Sequence, residues 1–445
     1  MPAGGDLAGG ELAGGKLAGG KLAGARLTGA QPALTLAPQL QPAVASGHPW
    51  IYRDHLPRHA LVDGQVVKVT AGTAAAYGIY SATGAIGVRL YGTTAPDRAL
   101  IEQRVADAVA LRAELMSDGT DCYRLLNGEG DRLPGVVVDR YGRYAVLKRY
   151  SSGLDEVTAV VAKELGTRLK LRGVVERSAA ESGRGGERGE RSLVALWGEP
   201  PPPRLTVREN GLDFEVDLWR GQKSGAFLDQ RENRSLVREH SAGRRVLNLF
   251  AYTGGFSVYA LAGGAAHVTS VDLAEPALDT IAPTLAANAL PAARHSAVVA
   301  DVFENLPHWA AAAAAAATNA GDLPAGGEPD GGSENEVSGR YDLVIVDPPS
   351  LANNAEQRRR AQRAYLRLNR DALRLVTPGG LLATASCTAQ VSPEAFKQAL
   401  ADAALAAGVS AQVVAERGHA VDHPVPLAFP EGRYLKFVLL RVLAT

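Results

Sequence analysis

The stretch Val246-Leu-Asn-Leu-Phe-Ala-Tyr-Thr-Gly-Gly-Phe256, followed by Val268-Thr-Ser-Val-Asp272, limits the fold of this chain more than any other. Its near-continuous apolar run, Val246 to Phe250, predicts a short strand buried on both faces of a parallel sheet. Gly254 and Gly255 permit a sharp turn and let a ligand approach bare backbone. Phe256 to Leu261 carry a helical apolar pattern that Gly263-Gly264 ends. A second apolar strand then closes on Asp272, roughly twenty residues past the turn, where an open α/β sheet places an acid to bind a ribose diol. The expected fold is therefore an α/β, Rossmann-like sheet that takes a nucleoside cofactor.

A dinucleotide site would need the full G-x-G-x-x-G cradle for its pyrophosphate. Only Gly254 and Gly255 are present here, and a ribose acid without a phosphate cradle fits S-adenosylmethionine, which has a ribose and a sulfonium but no phosphate. Nicotinamide or flavin binding, and a glycine turn with no ligand, remain the alternatives on this unit alone.

Two or three domains are expected from 445 residues. Lys plus Arg and Asp plus Glu stand at 47 each, so only a local basic surface could serve a nucleic acid. Cys122 and Cys387 are too few and too far apart for a disulfide framework or a four-cysteine metal site, which predicts a reducing cytoplasmic setting and no metal. No apolar run approaches the roughly 20 residues of a membrane span. Residues 1–33 hold a glycine-rich five-residue repeat and predict a disordered tail. Residues 34–95 alternate in short segments between glycine turns and predict a β-rich module, with Trp50 and Tyr52 as either core aromatics or RNA contacts. Residues 96–218 read as a small α+β domain with a mobile Gly/Arg/Glu loop at 179–191, and 219–445 as the cofactor domain. Within the latter, 310–339 is expected to be a flexible insertion that adds nothing to a core.

Two strand ends carry candidate chemistry, because ligands in such sheets sit beyond the carboxyl ends of the strands. One is Asp347-Pro-Pro-Ser350, whose prolines fix the backbone around the carboxylate. Enzymes that methylate exocyclic amines place an aromatic where Ser350 stands, which counts against amine methylation. The other is Ser386-Cys-Thr388. A buried cysteine is usually an inert small hydrophobe, but at the rim of a cofactor sheet a thiolate could attack carbon 6 of a pyrimidine and make carbon 5 nucleophilic. Between the two strands, Arg359, Arg363, Arg367 and Arg370 share one helical stripe opposite Ala361, Ala364, Tyr365, Leu368 and Ala372. That stripe is either a solvated face or a grip on RNA phosphates. His423 reads as a turn histidine or as a substrate-orienting group.

Taken together, these motifs resemble the bacterial large-subunit rRNA 5-methylcytosine methyltransferases, which join a PUA domain, a small α+β domain and a class I methyltransferase domain. The stretches that carry the resemblance are Gly47 to Arg53, Arg124 to Gly142, Gly221 to Arg234, Asn248 to Phe256, Asp347 to Ser350, Ser386 to Thr388 and Asp422 to Lys436, in family order. The resemblance implies S-adenosylmethionine bound near Phe227, Asp229, Asn248, Phe250, Tyr252, Gly254, Asp272, Asp301, Asp347 and Pro348. It also implies Cys387 as the nucleophile; Asp347 is the second expected catalytic residue, and Trp50, Arg359, Arg363 and Arg367 are the expected RNA contacts. The expected partner is large-subunit rRNA, with a homodimer as an option and neither a membrane nor a metal involved. Pro348-Pro349 stands where related RNA cytosine methyltransferases carry a second cysteine, so the acceptor of the carbon-5 proton is open. A guanine methyltransferase, or an RNA-binding assembly protein with a vestigial cofactor fold, are the rival expectations.

Overall fold

The computed structural model describes residues 27, 31–116, 119–177, 193–219, 226–319, 337–352 and 354–443. The repeat tail, the 179–191 loop, residues 221–225 and most of the 310–339 tract thus lie outside the described residues.

Alternating apolar positions build the first sheet, where Val67, Val69 and Val88 are wholly buried. Its five strands are Ala33–Thr35, Trp50–Tyr52, Val66–Ala71, Ala74–Tyr80 and Ile86–Gly92, in the spatial order first, third, fourth, fifth, second. Asp97 caps the following helix, Arg98–Leu115, by accepting from the Leu100 amide at 2.8 Å. A second five-stranded sheet runs in simple sequence order from Cys122–Asn127 to Leu193–Gly198. It is antiparallel except where the helix Asp155–Arg168 crosses over and makes Tyr144–Arg149 parallel to Gly173–Arg177.

The third sheet has seven strands: β1 Arg245–Leu249, β2 His267–Asp272, β3 His295–Val299, β4 Tyr341–Val346, β5 Val376–Ser386, β6 Ala411–Arg417 and β7 Lys436–Val442. Their order is β3-β2-β1-β4-β5-β7-β6, parallel from β3 to β5, with β7 antiparallel to both of its neighbours. Helices cover both faces, so apolar residues alternate between two cores. Leu247, Val344 and Val346 face one core, while Val246, Leu343 and Ile345 face the other. Each such side chain contributes about 1.5–3 kcal/mol by leaving water, which is why β1 reads as an unbroken apolar run. Strand order reverses between β1 and β4, and the crevice beyond their carboxyl ends is where such sheets bind ligands.

One expectation fails. The helix Val302–Asn319 runs through the start of the alanine tract, and Ala310 and Ala313 are buried in the core beneath the sheet. An alanine run is a strong helix former, and its missing side-chain bulk lets it pack closely.

Candidate active site

The turn after β1 is unusual in its backbone. Phe250 and Tyr252 adopt φ of 62° and 49°, a left-handed region that bulky residues rarely enter, and Gly254 follows at 73°. Such residues cost roughly 1–3 kcal/mol each and persist only where their surroundings fix them. Asp272, at the end of β2, supplies the restraint. Its Oδ2 accepts from the Tyr252 amide at 2.8 Å, and its Oδ1 accepts from the Ala274 amide at 2.9 Å. At Gly254 a Cβ would fall 2.6 Å from Ile281 Cγ1, so both conformation and space require glycine.

The half-buried aromatics Phe227, Phe250 and Tyr252 surround this turn. Phe227 meets Tyr252 edge to face at 5.5 Å, and Phe250 meets the exposed Phe303 at 5.1 Å. Asp301, beyond β3, accepts from the Phe303 amide at 2.8 Å and so starts the next helix. The donor set fits a nucleoside with a sulfonium. A carboxylate has about four acceptor positions, so Asp272 can hold the turn and still receive a ribose diol. Apolar rings suit a base, and nothing in the turn forms a pyrophosphate cradle.

Two expected cofactor residues have other duties. The Asn248 side chain is buried within the sheet layer, where its Nδ2 donates to Ser257 Oγ at 2.8 Å. From there the hydroxyls of Ser257 and Ser270 lead to His295 Nε2, with spacings of 2.6 and 2.8 Å. Burial lowers the His295 pKa to about 4, so a neutral ring ends this chain. Asp229 is buried as well and accepts from the Tyr434 hydroxyl at 2.6 Å, tying the segment before the helix Arg231–Glu239 to the C-terminal loop. The side chain that does reach the rim is Gln230, which the sequence reading passed over. Its Nε2 donates to Asp347 Oδ2 at 2.9 Å, while its Oε1 accepts from Asn233 at 2.6 Å. An Asn three residues after a Gln, on one helical face, was the available signal.

Asp347 and Cys387 share one rim. Cys387, at the end of β5, is half-buried, and its Sγ lies 3.9 Å from the Pro348 carbonyl oxygen. Thr388 fixes the neighbouring backbone: its Oγ1 accepts from the Leu351 amide at 3.0 Å and meets the Tyr365 hydroxyl at 2.7 Å. Burial pushes the Tyr365 phenol up to about 12, so it remains a proton donor. Cys122, by contrast, is buried in another sheet, and burial raises its thiol pKa well above the usual value.

The helix Arg358–Arg374 presents the arginines as the periodicity predicts. Ala361, Tyr365, Leu368 and Ala372 are buried, whereas Arg359, Arg363 and Arg367 are exposed and make no ion pair among the described residues. Arg370 leaves the stripe to pair with Asp371 at 2.8 Å. Trp50 does not face outward. Its Nε1 donates to Glu129 at 2.8 Å and its ring packs edge-on against Phe429 at 4.5 Å, so it joins the first sheet to the rest of the molecule. His423 is buried, with Nδ1 2.9 Å from Asp422. Among the described residues there is no group of three or more potential metal ligands, and no helix is long and apolar enough to cross a membrane.

Comparison with known proteins agrees with this geometry. Residues 34–93 match a PUA-like domain, and residues 187–309 match an S-adenosylmethionine-dependent methyltransferase family. The chain is 34% identical to a ribosomal RNA large subunit methyltransferase I of Klebsiella pneumoniae subsp. pneumoniae, over 93% of this chain and 98% of that one. It is 37% identical to a ribosomal RNA large subunit methyltransferase of Deinococcus radiodurans, over 90% and 94%. A solved structure from Streptococcus mutans, described as a SAM-dependent methyltransferase, shares the fold at 24% identity and a TM-score of 0.74, covering 93% of this chain and all of that one.

Proposed function

The chain belongs to the ribosomal RNA large subunit methyltransferase family, and from that premise we propose that it methylates carbon 5 of a cytosine in large-subunit rRNA, with Cys387 as the nucleophile. The observation that supports this reading is the half-buried thiol at the rim of the cofactor sheet, beside the Asp347-Pro348 turn. S-adenosylmethionine, when bound, supplies an electrophilic methyl group. Asp272 receives the ribose diol, Asp301 lies toward the base, and Phe227, Phe250 and Tyr252 shield the bound nucleoside.

Carbon 5 of cytosine is a poor nucleophile. The Cys387 thiolate bonds to carbon 6, and the electron pair of the ring double bond moves to carbon 5, which takes the methyl group. Asp347, held by Gln230, then accepts the carbon-5 proton. The double bond re-forms and the carbon–sulfur bond breaks, returning its electron pair to Cys387. Arg359, Arg363 and Arg367 grip the RNA backbone, so the enzyme works in the cytoplasm where that RNA is made.

Mapping modified cytosines in rRNA from a deletion strain, rescued with wild type or Cys387→Ala, tests the reading. Wild type should restore one 5-methylcytosine and Cys387→Ala none, because the thiol acts in covalent chemistry rather than ground-state affinity. Full restoration by Cys387→Ala would overturn it. Asp347→Asn should instead accumulate enzyme covalently joined to RNA, since the carbon-5 proton has lost its acceptor.

A further inference from the structure

Lys436 opens β7, which pairs with the end of β5 so that Lys436 lies opposite Ser386, one residue before the thiol. Only 4% of it is exposed, and its Nζ donates to the Thr388 carbonyl at 2.7 Å and the Tyr434 carbonyl at 2.9 Å. A buried ammonium normally has a carboxylate partner, because desolvating an unpaired charge costs several kcal/mol. Lys436 makes no ion pair with a carboxylate among the described residues. Burial lowers its pKa to about 8, and the group that acts against burial is Cys387.

Resting on the Cys387 reading, we infer that Lys436 is a positioning residue for the nucleophile. Its ammonium is the counter-charge for the Cys387 thiolate, both before attack on carbon 6 and when the carbon–sulfur bond breaks. Lys436 keeps its proton throughout, so the electron balance of the reaction is unchanged. The two backbone carbonyls account for the geometry, because they aim the ammonium at the rim without neutralising it. A carboxylate in their place would cancel the field that a thiolate needs.

The test is the pH dependence of Cys387 alkylation by iodoacetamide in the full-length chain, read by peptide mass, with buried Cys122 as the internal control. Lys436→Gln keeps an N–H donor for the two carbonyls and removes the charge; Lys436→Arg keeps the charge. The alkylation midpoint should rise by about 1–2 pH units in Lys436→Gln and return toward wild type in Lys436→Arg. A merely structural role would leave the midpoint of folded Lys436→Gln where it is in wild type, and that result would overturn the inference. Should Lys436→Gln not fold, the wild-type midpoint decides: a Cys387 midpoint below that of an ordinary exposed thiol supports the inference, and one at or above it overturns it. Trapping of wild type on RNA carrying 5-fluorocytosine separates the two readings. An adduct with an unmoved midpoint removes Lys436 alone, whereas absence of any adduct removes the Cys387 reading itself.

Discussion

Asp272 does two jobs whose energies point the same way. It holds Tyr252 in a left-handed conformation and, in the proposed complex, accepts from the ribose. Asp272→Ala should weaken S-adenosylmethionine binding by about 2 kcal/mol, or roughly 30-fold, since a charge-assisted hydrogen bond is lost. Titration calorimetry would measure this, and unchanged affinity would remove Asp272 from the site. This acid was legible in the sequence because its distance from the glycine turn follows from fold geometry. The positive φ at Phe250 and Tyr252 was not, because aromatic residues carry no local preference for that region and tertiary contacts impose it. Asn248 was legible only in part, for a related reason. An asparagine in an apolar strand signals a buried hydrogen bond but not its direction, and here its Nδ2 donates to Ser257.

At the level of elements, the helix Arg358–Arg374 combines a packed face and, in the proposed complex, one that holds RNA. Tyr365 meets the Thr388 side-chain hydroxyl beside Cys387, and the opposite stripe carries three exposed arginines. Replacing Arg359, Arg363 and Arg367 with Ala should lower the slope of log affinity against log salt by about 2, because each phosphate contact on single-stranded RNA releases about 0.7 counterion. An unaltered slope in filter binding would return this helix to a solvated surface. Its period was readable from the sequence, since burial and exposure alternate at helical spacing. The edge strand β6, the helix Pro393–Ala407 and the hairpin Leu205–Glu209 with Leu212–Val216 went unread. The β6 residues Val413 and Val414 are exposed at the sheet edge, so that strand has little hydrophobic pattern to announce it.

Across the whole molecule, motifs far apart in sequence meet at one buried carboxylate. Asp422 accepts from both terminal nitrogens of Arg231 at 3.0 and 2.9 Å, from the Arg124 amide at 2.6 Å, and from His423. Its own carbonyl accepts from Arg112, which also grips Asp131 through two bonds of 2.6 and 2.8 Å. Despite burial, His423 and Arg231 hold the Asp422 carboxyl far below the usual range. At Gly130 a Cβ would lie 1.9 Å from the Pro424 carbonyl oxygen, so only glycine lets the middle sheet dock on this loop. Residues of the stretches Arg124 to Gly142 and Asp422 to Lys436, with Arg231, are thus parts of one junction, a unity that spacing along the chain could not reveal. Asp422→Ala would leave the buried Arg231 with Glu232 as its remaining carboxylate and should cost about 3 kcal/mol of stability. Urea denaturation measures the loss, and a change below about 1 kcal/mol would deny the junction its role. That junction anchors the loop leading to Lys436, and so supports the rim where Cys387 lies. The proposed covalent step there is read most directly by incubating wild-type protein with S-adenosylmethionine and rRNA fragments carrying 5-fluorocytosine, then mapping any protein–RNA adduct by mass. Fluorine cannot leave as a proton does, so the account predicts a stable, methylated adduct on Cys387 and none on Cys122; methyl transfer to the normal RNA with no adduct on the fluorinated one would contradict it.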